Sequence, residues 1–192
     1  MRQKIVAKRG NRKMPWYRNE GKILTPLTDQ DFAEGIEKGH FVQPNHRAYC
    51  VLLYYSAVRK TEGSRVLKEQ LQITKKNIVF EVGKRLKHGM LTPPLNLPLA
   101  APYMPLLRDA VEATPLHQKV FPYSPKTCYN IVHRAGFKYP HLTRLSRITN
   151  FFLEGWTIAQ VHSWTGLSLT ALNYYVGIVD IAKMGESLAK KR

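Results

Sequence analysis

The stretch Tyr139-Pro-His-Leu-Thr-Arg-Leu-Ser-Arg-Ile-Thr-Asn-Phe-Phe-Leu-Glu-Gly155 decides how the rest of the chain is read. A proline suits the first turn of a helix, where its missing N–H has no partner to lose. Behind Pro140 the text is apolar at helical intervals up to Leu153, and Gly155 marks the break. This predicts a helix over about 142–154. His141 and Arg144 stand three residues apart at its start, so their side chains share one face.

Working outward, the pattern predicts helices over 157–165 and 168–182, separated at Gly166. Upstream, Ser124-Pro125 reads as a cap followed by proline at the first helical position, opening a helix to Ala135 that Gly136 closes. Prolines 93, 94, 98, 102 and 105 break regularity, with a helix expected over Met104–Ala113. Three β-forming segments precede them: Gln70–Thr74, Asn77–Val82 and Met90–Thr92. They predict a small antiparallel sheet whose hairpin loop, Gly83-Lys-Arg-Leu-Lys-His-Gly89, is strongly basic. Asn45–Ala57 is apolar enough for a buried helix, and Thr28 to Lys38 begins with a cap residue and first-turn acids. The expected fold is mixed α+β, mainly helical, with one small antiparallel three-stranded sheet. Residues 1–20 form a basic arm or linker, and 21–192 form the domain, with a C-terminal tail from about 182.

The charge balance narrows the function. The chain of 192 residues carries 30 Lys and Arg against 13 Asp and Glu, a formal net charge of +17. So basic a domain calls for a polyanionic partner, and DNA, RNA and a membrane surface all fit that balance. No stretch of 18 uninterrupted apolar residues occurs, and Met1–Lys13 lacks the apolar core of a secretory signal. Cys50 and Cys128 stand apart, with no Cys or His at metal-ligand spacing, and read as buried reduced thiols.

Four motifs carry the chemistry. Val58-Arg59-Lys60-Thr61-Glu62 ends the buried apolar helix. Lys87 and Lys84 lie in the basic hairpin loop. His141 and Arg144 open the deciding helix. Trp164-Thr-Gly-Leu-Ser-Leu-Thr-Ala-Leu-Asn-Tyr174-Tyr175 follows Gly155. An arginine suits a phosphate site because its fork donates to two oxygens at once.

In order, interval and element type these motifs resemble the catalytic domain of the tyrosine recombinase (phage-type integrase) family, over roughly Leu27 to Gly185. The resemblance implies a DNA strand-breaking and rejoining enzyme that passes through a 3′-phosphotyrosyl intermediate, with no metal, ATP or other cofactor. It assigns Arg59 and Arg144 to the scissile phosphate and His141 to the tyrosine proton. Lys87, with Lys84 as the alternative, protonates the leaving 5′ oxygen, and Glu62 supports the Arg59 turn. Tyr175 is the nucleophile by spacing, whereas the local Thr170-x-x-x-Tyr174 pattern favours Tyr174. The chain departs from the family at Leu167, which stands where a phosphate-binding histidine belongs; His162 and Trp164 are the side chains that could substitute.

The implied partner is double-stranded DNA, bound as a dimer to tetramer, with a monomer allowed when free of DNA, and with no membrane. The implied setting is the cytoplasm of a prokaryotic cell or of the host of a mobile genetic element. Family members carry a core-binding domain before this one, and the residues preceding Leu27 are too few for it. An excised catalytic domain and a minimal protein both fit. Three rival readings are a type IB topoisomerase-like DNA relaxase, a catalytically impaired DNA-binding relic of a recombinase, and a basic RNA-binding protein.

Overall fold

In the computed structural model the described residues are 26–82, 94–177 and 179. Thr28 caps α1 (Asp29–Lys38): its hydroxyl accepts from the Asp31 amide, and the Asp31 carboxylate accepts from the Thr28 amide. This reciprocal cap satisfies two amides that a helix start leaves unpaired. α2 (Pro44–Ser56) is buried almost all round, and Tyr49 to Leu53 are fully enclosed. A helix apolar on every side belongs at the centre of a fold, and α2 packs against α4 (Met104–Glu112), α5 (Pro125–Arg134) and α6 (Pro140–Leu153). Truncating Leu52 or Leu53 there to alanine would cost about 2–5 kcal/mol.

A one-turn helix, α3 (Lys60–Gly63), leads to the sheet, which has the order β1-β2-β3 and is antiparallel throughout: β1 (Leu71–Ile73), β2 (Asn77–Phe80), β3 (Leu95–Pro98). Leu71, Ile78, Phe80, Leu95 and Leu97 turn inward. The third strand therefore runs through the proline-rich text that the sequence suggests is irregular. It is an edge strand, where a residue without an N–H is tolerated. Leu95 and Leu97 alternate with exposed Asn96 and Pro98, the period-two pattern of a strand with one buried face. Met90–Thr92, the expected third strand, lies outside the described residues, as do the arm 1–20, Lys84, Lys87 and the tail from 182.

The C-terminal part is helical. α6 is followed by α7 (Ile158–Thr165) and by a helix over residues 169–177, here α8. Gly155 and Gly166 sit at the breaks with φ of +88° and +65°, backbone that glycine adopts without strain. No described helix is long and apolar enough to cross a membrane.

The core has two parts. One joins α1, α2, the sheet, α4 and α5; the other joins α6, α7 and α8 around Leu145, Ile148, Phe151, Val161 and Leu172. Leu27 packs on both. The seam beside it is polar and hydrogen-bonded. Asn150 donates to the Tyr54 hydroxyl at 2.8 Å and to the Leu27 carbonyl at 3.1 Å, and Tyr54 donates to Asp29 at 2.7 Å. The candidate site lies where the end of α2 meets the second core.

Candidate active site

The α2 helix stops at Ala57, which is buried and left-handed, with φ 52° and ψ 28°. Such backbone is unfavourable for a residue with a β-carbon and persists only where its surroundings enforce it. It redirects the chain so that Arg59 begins α3 at the surface. The Glu62 carboxylate then accepts twice, from the Arg59 amide at 2.7 Å and from its Nη1 at 2.8 Å. Arg59 keeps 59% of its side chain exposed. Its guanidinium is thus steered by a neighbour three residues on, with most of its donors turned to solvent.

Arg144 is the opposite case. It lies one turn into α6 and is only 2% exposed. Its Nη1 donates to the Ala57 carbonyl, and its Nη2 to the Thr165 carbonyl at 3.3 Å. These carbonyls end α2 and α7, so the cation sits between two negative helix ends. Burial pushes the Arg144 pKa down, and the nearby Arg59 pushes the same way; Glu62 and Tyr175 oppose them. Two guanidiniums that close, with one carboxylate engaged by the exposed one, leave net positive charge beside a buried group. That is the electrostatic condition of an anion site.

His141 occupies the first turn of α6 and opens partly to solvent. Packing around the ring lowers its pKa, and Arg144 and then Arg59 lower it further. All three effects favour the neutral imidazole. Tyr175, on α8, is buried among the second core residues, 6% exposed. Burial raises its pKa, whereas Arg144 and Arg59 act to lower it. Tyr174, its neighbour, is 47% exposed. The fold thus gathers Arg59, Glu62, His141, Arg144 and Tyr175 from three separated segments, and leaves Tyr174 facing solvent.

The remaining residues singled out in the sequence are placed otherwise. Leu167 is half-buried and packs against the second core. His162 makes its hydrogen bond through Nδ1 to the Leu167 carbonyl. Trp164 is committed to an aromatic cluster, with ring centroids 5.7 Å from Phe151 and 5.5 Å from Trp156. It lines a shallow apolar groove with Leu95, Trp156 and Gln160. Arg147, one turn beyond Arg144, is structural: it pairs with Glu154 at 2.6 Å and lies 4.3 Å over the Phe151 ring. Two contributors carry no signal in the sequence, the Ala57 and Thr165 carbonyls. Backbone acceptors are common to every residue, so only the packing of two helix ends picks these out. Among the described residues no group of His, Cys, Asp and Glu is placed to hold a metal ion.

No protein-family model and no curated protein matches the chain. Solved structures do. The catalytic domain of bacteriophage HP1 integrase is similar with a TM-score of 0.57 at 15% identity, over 80% of this chain and 88% of that one. XerH site-specific recombinase, in a post-cleavage complex with a palindromic difH substrate, gives 0.65 at 15% identity, over 88% of this chain and 54% of its own. XerA recombinase gives 0.61 at 16% identity, over 90% and 67%. The chain spans about half the length of XerH. Helical architecture, three-stranded sheet and these likenesses agree: this chain has the fold of the tyrosine recombinase catalytic domain.

Proposed function

We propose that the chain is a site-specific DNA recombinase or integrase that cuts and rejoins strands through a 3′-phosphotyrosyl link. The observation that carries this reading is that Arg144 and Arg59 lie near enough for their charges to act on both His141 and the buried Tyr175. In the scheme, a scissile phosphate takes the place of solvent at Arg59 and shares the charge of Arg144. The two guanidiniums stabilise the extra negative charge of the five-coordinate phosphorus, the kind of term that dominates such reactions. A phenol ionises near pH 10 and is a weak nucleophile when protonated. Neutral His141 accepts its proton as the oxygen attacks phosphorus. The bond from phosphorus to the 5′ oxygen breaks, and that oxygen takes a proton from Lys87, or from Lys84. A second 5′ hydroxyl later attacks the phosphotyrosine and reverses the step, so neither ATP nor a metal enters the scheme. Duplex DNA, held by a multimer, is the partner.

The test is a duplex nicked beside the cut site, so that the short cleaved strand diffuses away and traps the adduct. Wild-type protein and Tyr174→Phe form a covalent adduct; Tyr175→Phe forms none. Mass spectrometry of the adduct peptide names the tyrosine. Leu167 in the histidine position favours a second reading, a DNA-binding relic that has lost the chemistry. On that reading wild type binds duplex DNA and no adduct appears.

A further inference from the structure

The connection between α7 and α8 is three residues long and contains a glycine, yet a run of hydrogen bonds holds it. Gly166, left-handed, donates to the His162 carbonyl at 2.8 Å. Leu167 donates its amide to the Thr165 hydroxyl at 3.2 Å, and that hydroxyl donates to Val161 at 2.7 Å. The Leu167 carbonyl accepts from His162 Nδ1. Ser168 then starts α8: its hydroxyl accepts from Ala171 at 3.3 Å and its carbonyl from Leu172 at 3.0 Å. Both peptide groups of Leu167 are therefore tied back to α7. Thr165, immediately before the connection, supplies the carbonyl that Arg144 holds, and Ser168, at its end, leads into the helix that bears Tyr175.

We propose that His162 is a positioning residue. Through the Leu167 carbonyl it clips the α7–α8 connection and so sets Tyr175 against Arg144. A carbonyl only accepts, so His162 Nδ1 carries the hydrogen in either protonation state of the ring. Because the Leu167 side chain is spent on the second core, the turn is held from outside, by a side chain one helical turn back. The consequence for reaction rate rests on the recombinase reading above; the clip itself does not. The bond is exposed, and water replaces it when it is lost, so global stability changes little. Misplacement of the nucleophile is costlier: Tyr175 would meet the phosphate out of line, slowing adduct formation about tenfold.

Three variants of the full chain test this: His162→Ala, His162→Asn and His162→Gln. An asparagine amide stands where Nδ1 stands and restores the clip; a glutamine amide stands nearer Nε2 and does not. The first measurement is hydrogen exchange of residues 166–177 in the free protein. Exchange rises in the Ala and Gln variants and returns to the wild-type level in the Asn variant. The second is single-turnover adduct formation at saturating nicked duplex, beside duplex affinity. The rate falls about tenfold in Ala and Gln and recovers in Asn, with affinity unchanged. Unaltered exchange in His162→Ala overturns the proposal, whether or not wild type is active. So does lost affinity at an unaltered rate, which would make His162 a phosphate contact. If wild type forms no adduct, the recombinase reading fails, and the clip stands or falls on exchange alone.

Discussion

The turn after α2 and the opening of α6 each contribute an arginine to the candidate site, and they hold it in opposite ways. Arg59 is oriented by Glu62, three residues away in the same turn, and stays largely in water. Arg144 is oriented by the Ala57 and Thr165 carbonyls, 87 and 21 residues away, and is almost wholly enclosed. The first arrangement forms as soon as a short segment folds. The second exists only once α2, α6 and α7 have packed. A site built this way has one arginine that can adapt to a ligand and one that serves as part of the framework. On the proposed function Arg144 has a second duty at the phosphate, and a substitution there should fail in both.

The contrast can be broken most decisively at Arg144. Arg144→Ala should lower the rate of adduct formation by about 10²–10³-fold, the cost of removing a charge-stabilising donor. It should also cost roughly 3 kcal/mol of stability, because two carbonyls lose their donor in the interior. Arg144→Lys should fare little better, since a single ammonium cannot bridge carbonyls on two helices as a planar fork does. Adduct kinetics together with urea unfolding measure both losses. Stability equal to wild type in Arg144→Ala would remove the framework role.

Arg59→Ala sharpens the comparison. Its rate loss should be similar, about 10²-fold, while its unfolding free energy stays within about 1 kcal/mol of wild type, the usual value of an exposed pair. A loss of stability as large as that of Arg144→Ala would show that the two regions do not differ as described.

The smallest expected effect is in the pH profile. His141 acts as a base only when neutral. Its pKa lies below the ordinary histidine value of 6.5, so the neutral form persists as pH falls past that point. The acid limb of the cleavage profile should therefore be centred below pH 6.5, the ordinary histidine value. Arg144 depresses the histidine more than Arg59 does. In Arg59→Ala the acid limb should shift upward only slightly. A limb centred at or above pH 6.5 in the wild type would rule out a depressed His141.

Much of this arrangement is legible in the order of residues. Helix α6 announces itself through Pro140, the apolar spacing and Gly155, and the His141–Arg144 pair comes with it, because a spacing of three fixes which side chains share a face. The α5 and α7 starts follow from Ser124-Pro125 and from Thr157, local caps that need no tertiary partner. The third strand is not legible. Its prolines suggest irregularity, and only pairing with β2 makes Leu95–Pro98 an edge strand. The tyrosine is the other case. Spacing and a local pattern point to adjacent residues, and the sequence leaves both open. Packing gives them different surroundings: Tyr175 enters the second core, where the charges of Arg144 and Arg59 act on it, while Tyr174 is half exposed.

What the sequence determined by itself, then, is the set of longer helices, the excess of positive charge and the residue types of the site, because caps, periodicity and composition act over a few residues at a time. What only the tertiary structure decided is which side chains lose water. The burial of Arg144 between two helix ends, the depressed His141 and the unequal burial of Tyr175 and Tyr174 all depend on segments far apart in the chain. Desolvation is a property of the packed interior, and no local pattern encodes it.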